Sequence, residues 1–162
     1  IRSDLDVMAR TFAVNNVGLA ATFHAFVEPM VARGSGRLVG IASVAGIRGI
    51  PGHGAYCASK AGVISYCESL RGELRGTGVG VVTIGPGYID TPLTQKNRYR
   101  MPFLMSPHDF AERAYNAIDA NVSYRVIPWQ MGWLAKGLRM LPNALFDRVL
   151  AGRPRKRRAD GS

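Results

Sequence analysis

Apolar residues recur at helical spacing through the first thirty positions, at Leu5, Met8, Phe12, Leu19, Phe23, Phe26 and Met30, which predicts one long amphipathic helix over residues 3–31. Ser3 stands where it can cap that helix, with Asp6 three residues on as a weak capping-box partner. Gly34 and Gly36 end it, and residues 37–43 form a mostly apolar run that reads as a strand inside a parallel sheet. A loop over 44–54 comes next, containing Gly46, Gly49, Pro51 and Gly52; it can let backbone pass close to a ligand, or be a flexible connection only. A second long helix is expected over 55–75, with Tyr56, Lys60, Val63, Cys67, Leu70 and Leu74 along one face and small Ala55, Ser59 and Gly62 on a face that allows close approach. Gly76 and Gly78 stop it, and residues 79–84 read as a second buried strand. Ser106 and Pro107 open a helix that runs to about Ala120, residues 124–128 form a last strand, and two short amphipathic helices complete the order, over 129–141 and after Pro142. No internal repeat interrupts it.

The pattern places chemistry at one spot. Tyr56 and Lys60 are four apart on a helix and therefore project together, and Ser43 closes the strand that precedes them. A phenol normally keeps its proton to about pH 10, and a neighbouring ammonium favours its ionised form, so Tyr56 is a candidate proton donor. A serine hydroxyl both donates and accepts, so Ser43 can hold a carbonyl or alcohol oxygen beside the phenol. By itself a tyrosine and a lysine at this spacing are as compatible with an aromatic stripe and a lysine reaching to solvent. Asn15 falls on the apolar stripe of the first helix, where a buried amide needs a partner; a backbone group nearby would suffice. The Pro86–Gly87 pair after the second strand is in most settings a plain turn. Residues 93–105 mix Lys96, Arg98 and Arg100 with Met101, Phe103 and Leu104 without a clean period, as a mobile lid or a basic surface loop would.

Composition bounds the reading. At 162 residues and 47% hydrophobic the chain is long enough for one domain with a core. It opens on Ile and on no basic segment leading into an apolar run, which gives the expectation of a cut start rather than a secretion signal. No stretch reads as a transmembrane helix. Cys57 and Cys67 are ten residues apart on one helix, about 15 Å at 1.5 Å per residue, so they cannot pair with each other. His24, His53 and His108 are scattered, no Cys/His cluster suggests a metal, and a reducing cytoplasm is the expected location. The net charge of +10 is uneven: residues 1–90 hold eight Lys/Arg and six Asp/Glu, residues 91–162 thirteen and five. Arg153, Arg155, Lys156, Arg157 and Arg158 form a basic run that reads as a disordered, solvating tail. Next to the aromatic helices before it, the same run suits peripheral contact with an anionic membrane; nucleic acid is not an expected partner.

Order and spacing make a resemblance. Asn15 with Gly18, Ser43 thirteen residues before Tyr56, Lys60, and then Pro86, Gly87 and Thr91 after the next strand resemble the catalytic half of the short-chain dehydrogenase/reductase family, most closely over residues 38–93 and loosely over 3–128. Ala42, where the family usually has Ser or Thr, is a departure. The resemblance implies an α/β, Rossmann-like, doubly wound parallel sheet and hydride transfer between NAD or NADP and a small-molecule carbonyl or alcohol. It implies Tyr56 as general acid/base, Lys60 on the ribose hydroxyls and beside the phenol, Ser43 on the substrate oxygen, and Asn15 holding a relay water, with Asn16 the competitor that the spacing disfavours. It further implies Pro86, Gly87, Ile89 and Thr91 along the nicotinamide, and a homodimer or homotetramer through the two long helices. The divisions expected are a partial catalytic domain over 1–128, amphipathic helices over 129–152 and a basic tail over 153–162.

One requirement of dinucleotide binding has no counterpart in these residues. A Gly-rich turn from a first strand into a helix must cradle the pyrophosphate, and an acidic or basic selector must read the ribose. Gly46, Gly49, Gly52 and Gly54 are not in that frame, and Asn15, Asn16 and Gly18 sit in a helical pattern rather than on a strand. Two function classes therefore stand: an oxidoreductase represented by its carboxy-terminal part, with an apolar or lipid-like substrate, and a cofactor-free dimerisation or membrane-associated scaffold that retains the catalytic residues.

Overall fold

The computed structural model of the chain describes residues 4–95 and 100–151. Three parallel strands, β1 (Gly36–Ile41), β2 (Val79–Pro86) and β3 (Tyr124–Ile127), lie side by side in that order. The β1/β2 register runs from Gly36 opposite Val79 to Ile41 opposite Ile84, and β2/β3 from Thr83 opposite Tyr124 to Pro86 opposite Ile127. Around them are α1 (Leu5–Phe12), a π-helical turn (Ala13–Val17), α2 (Gly18–Ala32), α3 (Gly54–Glu73), α4 (Pro107–Asp119), α5 (Trp129–Met140) and α6 (Asn143–Leu150).

The central strand explains the layering. Side chains alternate along β2, so Val79 and Val81 join Phe23, Leu38, Val63 and Cys67 in a core on the α2/α3 side, while Val82 and Ile84 join Ala114, Ala117 and Ile127 on the α4 side. A strand covered on both faces has to be apolar throughout, and β2 is buried along nearly its whole length. Gly40 leaves the room on β1 into which Cys67 packs. Both cysteines are buried and unpaired, and burial raises each thiol's pKa. α5 docks through Met131, Gly132 and Ala135, and a Cβ on Gly132 would stand 3.0 Å from Cβ of Val126. Among the described residues β1 has a strand neighbour on one side only.

Three expectations change. Asp4, not Ser3, caps the first helix, its Oδ1 accepting the amides of Asp6 (3.0 Å) and Val7 (3.3 Å); Ser3 lies outside the described residues. The helix is also not continuous. The π turn over Ala13–Val17 inserts an extra residue and rotates the remainder of the segment, so Phe23, Leu19, Val27 and Met30 face the core while Leu5, Val14 and Phe26 are exposed. A period of 3.6 carried through all thirty positions cannot anticipate that phase change. On α3 the buried stripe runs through Cys57, Val63 and Cys67, and Tyr56 lies off it on the open side, 41% exposed.

Candidate active site

Strand β1 ends at Ile41, two residues earlier than its apolar run suggests, because Ser43 turns the chain. Its Oγ accepts the amide of Ala45 at 3.2 Å and so caps a 3-10 turn over Val44–Gly46. That contact occupies a lone pair and leaves the hydroxyl proton for another acceptor. Ser43 itself is buried.

Gly46 then brings the turn against α3. A Cβ there would stand 2.7 Å from the carbonyl carbon of Lys60, 2.8 Å from its oxygen and 2.9 Å from the amide nitrogen of Ala61, so only glycine lets the two backbones approach this closely. Lys60 makes a second link to the same strand end, its Nζ donating to the carbonyl of Ile41 at 2.9 Å. Its ammonium lies 5.9 Å from the centre of the Tyr56 ring, one helical turn away. Burial lowers the pKa of Lys60 from its ordinary value. Ser43, Tyr56 and Lys60 are thus gathered at the carboxyl end of β1.

Asn15 enters from the π turn. Its amide donates to Ser59 Oγ at 2.9 Å, and Ser59 Oγ donates to the carbonyl of Tyr56 at 2.9 Å. Asn16 donates to the carbonyl of Ser59 at 3.0 Å and lies over Gly62, whose absent Cβ would meet the Asn16 amide nitrogen at 2.6 Å. Both asparagines therefore grip α3, and Asn16 Oδ1 is buried without a protein partner. Ser59, fully buried, is one residue whose role the sequence did not disclose. Its place among small residues on the close-approach face was the available signal.

The opposite wall comes from the end of β2. Pro86 is its last residue, and Gly87 donates its amide to the carbonyl of Ile127 at 2.8 Å and passes Met131, whose Cγ would be 3.0 Å from a Cβ there. Ile89 forms an isolated parallel bridge with Met105 that uses the amides of Asp90 and Met105, not that of Ile89. Thr94 organises this turn: its Oγ1 accepts the Thr91 amide at 2.8 Å, lies 3.1 Å from the Thr91 hydroxyl and donates to the carbonyl of Ile89. Two threonines three apart signal such a hydroxyl-closed turn. Of the expected lid, Met105 is tied to Tyr88 and Asp90, while Lys96 and Arg98 lie outside the described residues.

These groups lie where open parallel sheets bind ligands, beyond the carboxyl ends of adjacent strands. Elsewhere, His108, Asp109 and Glu112 bring ligand-type atoms within 4.8 Å of one another, all exposed on the first two turns of α4. No helix of the described residues is long and apolar enough to cross a membrane.

Residues 2–101 match the family model described as short chain dehydrogenase. The chain is 48% identical over 136 residues to an uncharacterized oxidoreductase of Myxococcus xanthus, which takes in 82% of this chain and 53% of that protein. It is 32% identical over 151 residues to the human protein named short-chain dehydrogenase/reductase 3, covering 91% of this chain and 50% of the other. The chain thus spans about half the length of these relatives. Among solved structures, a short chain dehydrogenase from Burkholderia cenocepacia in complex with NADP superposes with a TM-score of 0.78 at 22% identity, over 93% of this chain and 61% of that one.

The lowered pKa of Lys60 has a consequence for stability. Between the folded pKa and the higher unfolded one, the unfolded chain binds more protons, so wild-type stability gained from relieving the buried charge rises with pH. Comparing melting temperatures of wild type and Lys60→Met, the difference should move in favour of wild type as the pH is raised from about 7 towards the ordinary lysine value of about 10.4. A pH-independent difference would mean that Lys60 pays no desolvation cost in the fold.

Proposed function

Because the chain belongs to the short-chain dehydrogenase family, we propose that it supplies the proton-transfer and nicotinamide-side half of an enzyme that moves a hydride between NAD or NADP and a carbonyl or alcohol carbon. The observation that carries this reading is the gathering of Ser43, Tyr56 and Lys60 at the end of β1 through the Gly46 contact and the Lys60–Ile41 hydrogen bond. Ser43 donates its free proton to the substrate oxygen, and Tyr56 gives that oxygen a proton in reduction or takes one in oxidation. Lys60 holds positive charge beside the phenol. Asn15 acts through Ser59, holding the carbonyl of Tyr56 and so the first turn of α3. On the opposite wall, the Ile89 amide left out of the Met105 bridge and the Thr91 hydroxyl fit a carboxamide, while Gly87 adds a stretch without a side chain and Pro86 a compact apolar ring. When bound there, the dinucleotide supplies the hydride chemistry.

This half fits the nicotinamide end alone, since no residue pattern here offers the pyrophosphate cradle. The 162-residue chain by itself is then inactive in hydride transfer, and a cofactor-free scaffold is the alternative. A chimera in which this chain replaces the matching half of the Myxococcus relative separates them. It should turn over ketones with change in nicotinamide absorbance, and Tyr56→Phe should lower kcat by about 100-fold or more with little change in KM. An inactive chimera that is folded and binds dinucleotide favours the scaffold, and full turnover by Tyr56→Phe removes Tyr56 from the proton step. Exposed Val14, Val17, Phe26 and Tyr66 on the long helices fit a homodimer or homotetramer of the assembled enzyme.

The substrate we infer is apolar, and a second reading concerns where it is met. Trp129, Trp133, Lys136 and Met140 line the outward face of α5 at helical spacing, with Trp133 71% and Met140 85% exposed. Lys136 Nζ is 6.0 Å from the Trp133 ring, and exposed Leu145 and Val149 continue the apolar surface on α6. Aromatic rings beside cations suit the boundary of an anionic lipid surface, where each cation adds about 1 kcal/mol. The chain should therefore co-sediment with vesicles containing phosphatidylserine and be released by salt, and Trp133→Ser should weaken binding. Equal sedimentation with pure phosphatidylcholine vesicles, or none with either, would reject the membrane contact.

A further inference from the structure

Arg48 stands five residues beyond Ser43, in the loop that leads to α3, and takes no part in the proton chemistry. Its guanidinium nevertheless reaches both carboxy-terminal helices at once. Nη1 donates to the carbonyl of Arg139 at 3.1 Å, and Nη2 donates to the carbonyl of Leu141 at 3.4 Å and to Oδ1 of Asn143 at 3.0 Å. The guanidinium carbon lies over the ring of buried Phe146, 4.2 Å from its centre.

The chemistry of these partners explains the fit. The Arg139 and Leu141 carbonyls belong to the last turn of α5 and its cap, where a helix leaves acceptors unmatched and its dipole favours a cation. Asn143 opens α6, and Phe146 is the buried side chain of that helix. A planar fork can serve such acceptors while its face stacks on a ring; an ammonium is a single point charge and cannot do both. The other end of α5 is fixed differently, by Met131 beside Gly87 and Gly132 against Val126. α5, about 18 Å long at 1.5 Å per residue, therefore runs from the turn after β2 to the loop after β1. Its two ends are attached to the two walls of the candidate active site.

We propose that Arg48 is a positioning residue that latches α5 and α6 to the catalytic loop and so sets the far wall of the substrate crevice, and with it the size of the apolar substrate that can bind. The latch is a property of this chain; its effect on substrate choice rests on the hydride-transfer reading. Movement of the wall changes binding of a bulky substrate, because the proton-transfer groups are held by other contacts, at Gly46, Ile41 and Ser59. A small ketone that does not reach the wall is indifferent to it.

The test has two arms. Hydrogen exchange by mass spectrometry on the 162-residue chain should show peptides within 138–150 exchanging about tenfold faster in Arg48→Ala, the loss expected for hydrogen bonds from a charged donor, with peptides within 54–73 unchanged. Arg48→Lys should resemble Arg48→Ala, and Asn143→Ala should move the same peptides less. In the chimera, Arg48→Ala should raise KM for a long-chain ketone about tenfold and leave kcat/KM for a small ketone within about twofold, a split that general loss of structure does not produce. Exchange unchanged in 138–150, or equally faster in 54–73, overturns the latch. So does an equal loss on small and long ketones. Local exchange with a wild-type chimera that shows no turnover would sustain the latch and count against the hydride-transfer reading instead.

Discussion

Everything in the candidate active site depends on how closely α3 lies against the end of β1. Two backbones meet at Gly46 and Lys60 with no space for a methyl group, and the Lys60 ammonium closes the same junction on the Ile41 carbonyl. Because Tyr56 is one turn before Lys60 on the same helix, fixing Lys60 fixes the point from which the phenol projects. Because Gly46 is three residues after Ser43 in a capped turn, the same contact fixes the serine. From the other side, Ser59 is clasped by Asn15 and in turn holds the Tyr56 carbonyl. Its hydroxyl is fully buried, so loss of either partner would leave a polar group without water, at a cost of about 1–3 kcal/mol. The π turn is what presents Asn15 and Asn16 side by side to that face.

The architecture distributes labour between the two faces of the sheet. One core packs α2 and α3 behind β1 and β2, and the other packs α4 against β2 and β3. The site lies at the strand ends, at the margin of both cores, and its walls are short turns tied by specific hydrogen bonds: Ser43 to Ala45 on one side, Thr94 to Thr91 and Ile89 on the other. Across the top runs α5, attached at Gly87 and at Arg48. β1, with a strand neighbour on one side among the described residues, is the edge beside which further sheet would lie. That is also the side from which a pyrophosphate cradle would have to come in an open parallel sheet.

Periodicity made the three strands, α3, α4 and the two closing helices legible, because apolar runs bounded by glycines and a Ser–Pro start are strong local signals. α4 begins as read, with Ser106 Oγ accepting the Asp109 amide at 3.1 Å. What escaped was set by tertiary contact. The π turn alters the phase of a helix that otherwise looks continuous, so Leu5 and Phe26 left the core while Leu19, Phe23 and Met30 of the same stripe joined it. Ser59 looked like one small residue among several, and Arg48 like one more surface cation in a loop. Each acquires its role from partners 44 and 91 residues away in the chain, and no pattern within a window of the sequence contains those partners. Tyr56, Lys60 and Ser43 were legible as a group because their spacing lies within one strand–loop–helix unit.

Under the proposed hydride-transfer reading, backbone contact at Gly46, and not the presence of the three side chains alone, makes the constellation competent. The decisive variant is Gly46→Ala, with kcat measured in the assembled enzyme beside circular dichroism and melting of the same protein. Secondary structure should be retained and kcat should fall by about 100-fold, the penalty for displacing reacting groups by about an ångström. Turnover within about twofold of wild type would contradict the dependence on this contact.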